Sequence, residues 1–191
     1  MVDAEVGVTA GVRAGRVYVY TGAGKGKTTA ALGQVLRAAI AGRKVLFIQF
    51  MKGQETGELN AISKMGLPIE IKRFGRSVFL QRRPGQSTSR ACEPLDILLA
   101  YRGLQAFEAA MLGGDYGLIA LDEINVAMSF GLLRTETVLE LVRRKPPWLE
   151  LILTGRNAPA ELLEMADEVT EMREVKHHYR RGDRVRKGIE F

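Results

Sequence analysis

The sequence predicts an α/β fold, a mostly parallel sheet with helices on both faces. Three observations carry this. Short β-rich apolar runs alternate with helical patterns along the 191 residues. Residues 44–50 (KVLFIQF) are almost continuously apolar, as a strand covered on both faces requires. A glycine-rich turn at 21–29 separates the first strand from the first helix.

In order, residues 17–20 (VYVY) predict a strand and 27–41, rich in alanine and leucine, a helix. The strand at 44–50 follows, then a helix over 57–65 and a short strand over 68–73. Residues 75–91 have no clean period and are expected as loop. A helix over 95–112 is closed by Gly113 and Gly114, and a strand over 116–121 ends in Asp122 and Glu123. Residues 135–144 form a helix stopped by Pro146 and Pro147. A strand over 149–153 leads into Thr154, Gly155 and Arg156, followed by a helix over 158–166 and a strand over 168–172. We expect one domain over 15–175, a short extension over 1–14, and a charged tail over 176–191 packed on the domain.

Hydrophobic residues make up 46% and charged residues 26% of the chain, an ordinary globular composition. No apolar run approaches the roughly 20 residues that span a bilayer. Residues 1–14 carry Asp3 and Glu5 and have no continuous apolar core, so they are not expected to act as a secretion signal. The single cysteine, Cys92, rules out an internal disulfide and fits a reducing cytosol, so a cytoplasmic protein is expected. The net charge of +6 favours an anionic partner. Lys72, Arg73, Arg76, Arg82, Arg83 and Arg90 fall in one stretch with no acid between them, together with Phe74 and Phe79. That stretch is either a solvated basic loop or a ligand-facing one.

The chemistry starts at Thr21-Gly22-Ala23-Gly24-Lys25-Gly26-Lys27-Thr28-Thr29. Glycines let the backbone turn sharply and bring N–H groups close to phosphate oxygens. The helix dipole points at the same anion. Lys27 supplies a point charge to the phosphates, and the Thr28 hydroxyl is placed to ligate magnesium. Counted from Gly22, the loop is one residue shorter than the G-x-x-x-x-G-K-[ST] pattern. The apolar strand ending in Asp122 and Glu123 puts carboxylates at the sheet's C-terminal edge, to hold magnesium directly or through water or, alternatively, to cap the next helix. Arg156 follows another buried strand and is expected at the same edge, to contact phosphate or sugar.

TGAGKGKTT (21–29), FIQFMKG (47–53), FGR (74–76), LDEIN (121–125), LTGR (153–156), VTEMREVKH (169–177) and KGIEF (187–191) occur in this order. Together they resemble the P-loop type of ATP:corrinoid adenosyltransferase, the cob(I)alamin or cob(I)yrinic acid a,c-diamide adenosyltransferase family, over nearly the whole chain from Gly15. The resemblance implies a RecA-like P-loop fold, often homodimeric, with the nucleotide in an unusual orientation on the loop. It implies transfer of the 5′-deoxyadenosyl group of ATP to cobalt(I) of a corrinoid, with tripolyphosphate leaving and a reductase or flavodoxin supplying electrons. Cobalt(I) is itself a strong nucleophile, so no Ser/His/Asp constellation is needed, and the sequence offers none. Lys27, the loop amides, and magnesium on Thr28, Asp122 and Glu123 would stabilise the leaving triphosphate, with Lys25 and Arg156 assisting.

Family members use aromatic residues after the third strand to keep the lower axial ligand from cobalt, in some a tryptophan. Trp148, the only tryptophan, lies elsewhere. The local candidates for the corrinoid are Phe74 and Phe79, each otherwise an ordinary core residue. Arg76, Arg82 and Arg83 would favour an incompletely amidated corrinoid bearing carboxylates. His177 and His178 are expected in structural rather than metal roles. Three competing functions share the loop: a P-loop ATPase or phosphotransferase, a RecA-like nucleic-acid-dependent ATPase, and a non-catalytic corrinoid carrier. We expect neither a membrane nor a nucleic acid among the partners.

Overall fold

The structure, a computed structural model, describes residues 14–53, 57–76 and 92–176. Phe79, Arg82, Arg83, Arg90, His177, His178 and nearly all of both expected terminal extensions lie outside the described residues.

Twelve elements follow in chain order: β1 (Val17–Thr21), α1 (Lys27–Ile40), β2 (Val45–Phe50), α2 (Gly57–Ser63), β3 (Ile69–Phe74), α3 (Pro94–Gly113), β4 (Leu118–Asp122), α4 (Ile124–Ser129), α5 (Thr135–Arg143), β5 (Glu150–Thr154), α6 (Ala160–Met165) and β6 (Glu168–Glu171). The strands form one sheet in the order β3-β2-β4-β5-β1-β6, and every pairing is parallel. This is the α/β architecture expected, consistent with a RecA-like P-loop fold. Because all strands run one way, their C-terminal ends share one edge, where ligands bind in open α/β sheets.

The strands separate two apolar layers by simple alternation. In β2, Leu46, Ile48 and Phe50 face the core shared with Leu104 and Phe107 of α3, with α4 and with α5. Val45 and Phe47 face the core shared with Ala31, Leu32 and Val35 of α1 and with Leu59 and Ile62 of α2. Phe47 and Phe50 are fully buried, each worth about 1.5–3 kcal/mol of apolar burial.

Two differences from expectation have physical causes. The six-residue helix α4 was not anticipated; it starts directly at the strand end, with Glu123 at φ 63° as its N-cap, and not from an apolar period. Four strands also end one residue later than expected; β3 adds apolar Phe74, and the other three add Thr21, Asp122 and Thr154. Thr21, Asp122 and Thr154 are polar yet buried. Apolar patterning therefore ends where the site begins.

Candidate active site

Three strand ends and the N-terminus of α1 meet at the C-terminal edge of the sheet. Gly26, at φ 106°, is the N-cap of α1 and offers no side-chain cap. The first intrahelical bond there is donated by the Ala30 N–H to the Gly26 carbonyl, at 2.8 Å. The preceding amides of the first turn therefore have no helical partner and point their partial positive charge outward.

The loop between β1 and α1 uses its glycines in two ways. Gly22 and Gly26 have positive φ, which the turn requires. Gly22 and Gly24 also let the chain after β6 come close. A Cβ at Gly22 would lie 2.5 Å from the Met172 carbonyl oxygen, and one at Gly24 2.8 Å from the same atom. The Gly24 N–H donates to that oxygen at 2.7 Å, so this amide is engaged with protein rather than free for phosphate. Thr21 is buried, and its Oγ1 accepts the Ala158 N–H at 3.3 Å. Ala23, Lys25 and Thr29 are exposed around the turn.

Lys27 folds back over the loop, its Nζ donating to the carbonyls of Gly22 at 2.8 Å and Gly24 at 2.6 Å. Burial first, and then the Arg156 guanidinium, push its pKa below the ordinary lysine value, against the pull of Glu123 and Asp122. Arg156 is an exposed residue just past β5.

Asp122 is the centre of the polar network. It is fully buried, and register places it beside Gln49 of β2. Its Oδ1 accepts from Thr28 Oγ1 at 2.9 Å and from Thr154 Oγ1 at 2.7 Å. Its Oδ2 accepts from Gln49 Nε2 at 2.8 Å. The Thr154 hydroxyl in turn accepts the Glu123 N–H at 3.0 Å. One threonine on β5 thus fixes both acids and spans the gap between the strand that launches the loop and the strand that carries them. Glu123 sits at φ 63°, ψ 17° and makes no side-chain cap on α4. The helix-capping alternative for Glu123 is therefore not what the structure shows, and its half-buried carboxylate is left facing the site.

Lys52, just past β2, completes the cluster. Its Nζ lies 3.4 Å from Glu123 Oε1 and 3.7 Å from Asp122 Oδ2. Burial opposes its charge, but Asp122 and Glu123 outweigh that and raise its pKa. Three of the non-glycine residues with positive φ, Met51, Glu123 and Asn157, lie at the ends of β2, β4 and β5. Such strain collects where the surrounding structure over-determines a working geometry. Two buried amide oxygens there, Gln49 Oε1 and Asn125 Oδ1, have no hydrogen-bond partner; a buried acceptor left unpaired costs about 1–3 kcal/mol. Asn125 itself is held by donating to the Gly155 carbonyl at 3.2 Å.

The oxygen donors Thr28, Asp122 and Glu123 suit a hard divalent cation such as magnesium. Among the described residues there is no group of three or more His, Cys, Asp and Glu side chains able to hold a metal. A metal here would complete its coordination through a phosphate ligand and water, the usual pattern for magnesium.

Gln49, Lys52, Thr154 and Asn125 were not singled out from sequence, although the motifs containing them were. Gln49 within VLFIQF and Thr154 at the end of ELILT carry a usable signal, since a polar residue in an otherwise buried strand needs a partner.

Of the residues expected at the corrinoid, Phe74 and Arg76 are engaged with protein, and Phe79 lies outside the described residues. Phe74 packs on the core beside Phe50, and a Cβ at Gly103 would meet both rings, at 2.7 Å from Phe50 and 3.1 Å from Phe74. Arg76 makes a two-point contact with Asp96, at 2.7 and 2.8 Å, and its Nη1 lies 2.8 Å from Glu93 Oε2. This clasp ties the end of β3 to the start of α3. Cys92 is half-buried, donates weakly to the Phe130 carbonyl, and burial pushes its thiol pKa up, the opposite of what activates a thiolate. No helix of the described residues is long and apolar enough to cross a membrane.

Comparison with known proteins agrees with this geometry. A family model described as ATP:corrinoid adenosyltransferase BtuR/CobO/CobP matches residues 13–191. A protein of Pseudomonas aeruginosa named corrinoid adenosyltransferase is 33% identical over 93% of this chain and 84% of its own length. A corrinoid adenosyltransferase of Escherichia coli is 32% identical over 100% of this chain and 92% of its own length. An uncharacterized protein of Nostoc sp. is 37% identical over 93% of this chain, which spans only 48% of that longer relative. With a family model matched over almost its full length, this chain belongs to the ATP:corrinoid adenosyltransferase family.

Proposed function

We propose that the chain transfers the 5′-deoxyadenosyl group of ATP to cobalt(I) of a corrinoid and releases tripolyphosphate. The observation that carries this is the convergence of Lys27, Lys52 and Arg156 with the uncapped N-terminus of α1 around the Thr28–Asp122–Glu123 cluster. Family membership supplies the acceptor.

The cobalt(I) electron pair forms the bond to C5′ as the C5′–O bond breaks, its electrons leaving on the triphosphate and cobalt becoming formally cobalt(III). No protein base is needed. The protein's work is to hold C5′ near cobalt and to stabilise the charge that develops on the departing oxygen. Lys27 and the first-turn amides of α1 bind that polyanion, with Lys52 and Arg156 adding charge. Magnesium on Thr28, Asp122 and Glu123, when bound, acts as a Lewis acid on the leaving group. Buried Asp122, with both oxygens already hydrogen-bonded, orients Thr28 and would help hold the ion, while Glu123 has the more accessible carboxylate.

Phe79 remains the candidate corrinoid contact, while Phe74 and Arg76 anchor the chain that precedes it. We further propose a cytoplasmic homodimer, with cobalt(I) supplied by a reductase or flavodoxin. Anaerobic incubation with ATP, magnesium and reduced corrinoid should produce the light-sensitive spectrum of a cobalt–carbon bond. ATP turnover to ADP that rises with DNA or RNA, or corrinoid binding with no adenosylation, would overturn this function.

A further inference from the structure

Lys52 occupies an unusual position. Its ammonium sits between the two carboxylates that we assign to the metal, 3.4 Å from Glu123 and 3.7 Å from Asp122. Its side chain is 27% exposed, against 0% for Asp122 and 24% for Glu123, so the contact is largely shielded from water. An ammonium and a divalent ion cannot both keep this place between the same two oxygens.

The root of Lys52 is fixed by backbone, whereas its head is held by the two carboxylates. The Met51 N–H donates to the Phe74 carbonyl at 2.9 Å, and the Gly53 N–H to the Arg76 carbonyl at 3.0 Å. The two segments touch backbone to backbone. A Cβ at Gly53 would lie 2.5 Å from the Gly75 carbonyl oxygen, and one at Gly75 2.4 Å from the Lys52 nitrogen. Met51 is held at φ 60° between them. The backbone is therefore pinned on both sides of Lys52, and any motion belongs to its four-carbon stem. Asp122 also accepts from Thr28 Oγ1 at 2.9 Å, so the ammonium and the first turn of α1 meet at one carboxylate.

Resting on the metal assignment above, we propose that Lys52 is an exchangeable counter-cation: it neutralises Asp122 and Glu123 when no divalent ion is present, and turns to the polyphosphate of the nucleotide when the ion arrives. The exchange couples the two binding events. Metal alone must displace the ammonium and is disfavoured. Metal arriving with nucleotide gives the displaced ammonium a new anionic partner. The site is thus protected from empty loading by free cations.

The test is Mn2+ binding followed by electron paramagnetic resonance on the full chain, without and with ATP, beside Mg2+-ATP affinity by calorimetry. For Lys52→Gln we expect nucleotide-free Mn2+ to bind several-fold tighter and ATP to bind roughly tenfold weaker. Lys52→Arg should fork onto the carboxylates more firmly and weaken nucleotide-free Mn2+ binding. That variant keeps the charge and serves if Lys52→Gln fails to fold. Unchanged or weaker Mn2+ binding in a folded Lys52→Gln, unchanged ATP affinity there, or tighter Mn2+ binding in Lys52→Arg would overturn the exchange. Asp122→Asn is the separate control: if it binds Mn2+-ATP as the wild type does, the metal assignment itself fails.

Discussion

Lys27 shows how burial sets a residue's chemistry. Its ammonium is held by two loop carbonyls and lies below the ordinary lysine pKa in the nucleotide-free protein. A bound triphosphate stabilises the charged form and raises that pKa again. On the alkaline side kcat/KM, which reports the free enzyme, should therefore fall at lower pH than kcat. Lys27→Arg should lose the early limb, because a guanidinium does not titrate there. Lys27→Ala should lower kcat/KM roughly a hundredfold or more with the fold intact. Coincident alkaline limbs would show that Lys27 is not the group that titrates.

Thr154 has two duties in one hydroxyl, donating to Asp122 and accepting from Glu123. Thr154→Val keeps the shape and removes both bonds. We expect a loss of about 1–3 kcal/mol in urea unfolding, with a larger loss in kcat than the stability change alone explains. Thr154→Ser should restore most of the activity. The network around Asp122 was only half legible in the sequence. Asp122, Glu123 and Thr28 stood in recognisable motifs, whereas Gln49 and Thr154 belong to strands that come beside Asp122 only through parallel register.

At the scale of elements, hydrophobic period located the buried strands and every long helix, because each of these is covered on a face or on both, while β6 is largely exposed at the sheet edge. The short α4 escaped, being set by the backbone of Glu123 at φ 63° rather than by a pattern. The dual role of the loop glycines was also hidden. Local sequence predicts a turn at Gly22 and Gly24, but not that the chain after β6 would lie against it. Gly24→Ala should push Met172 away and break the 2.7 Å bond to its carbonyl, lowering both stability and ATP affinity. Unchanged ATP affinity would show that β6 does not brace the loop. At the opposite end of the sheet, Lys145 donates to the carbonyls of Gly15, Pro146 and Leu149. Lys145→Met should cost about 1–3 kcal/mol in chemical unfolding and leave kcat unchanged, because it strands backbone acceptors far from the chemistry.

At the scale of the whole molecule, the parallel sheet matters because it delivers separate strand ends to a single edge. β1 brings the loop, β2 brings Gln49 and Lys52, β4 brings the acids, and β5 brings Thr154 and Arg156. The polar cluster is built to hold a polyanion, with cations placed around a buried carboxylate. The most direct test is the phosphorus product, read by 31P NMR after anaerobic turnover with ATP, magnesium and reduced corrinoid. One tripolyphosphate for each cobalt–carbon bond formed is the predicted result. Formation of ADP and inorganic phosphate in its place would contradict the account.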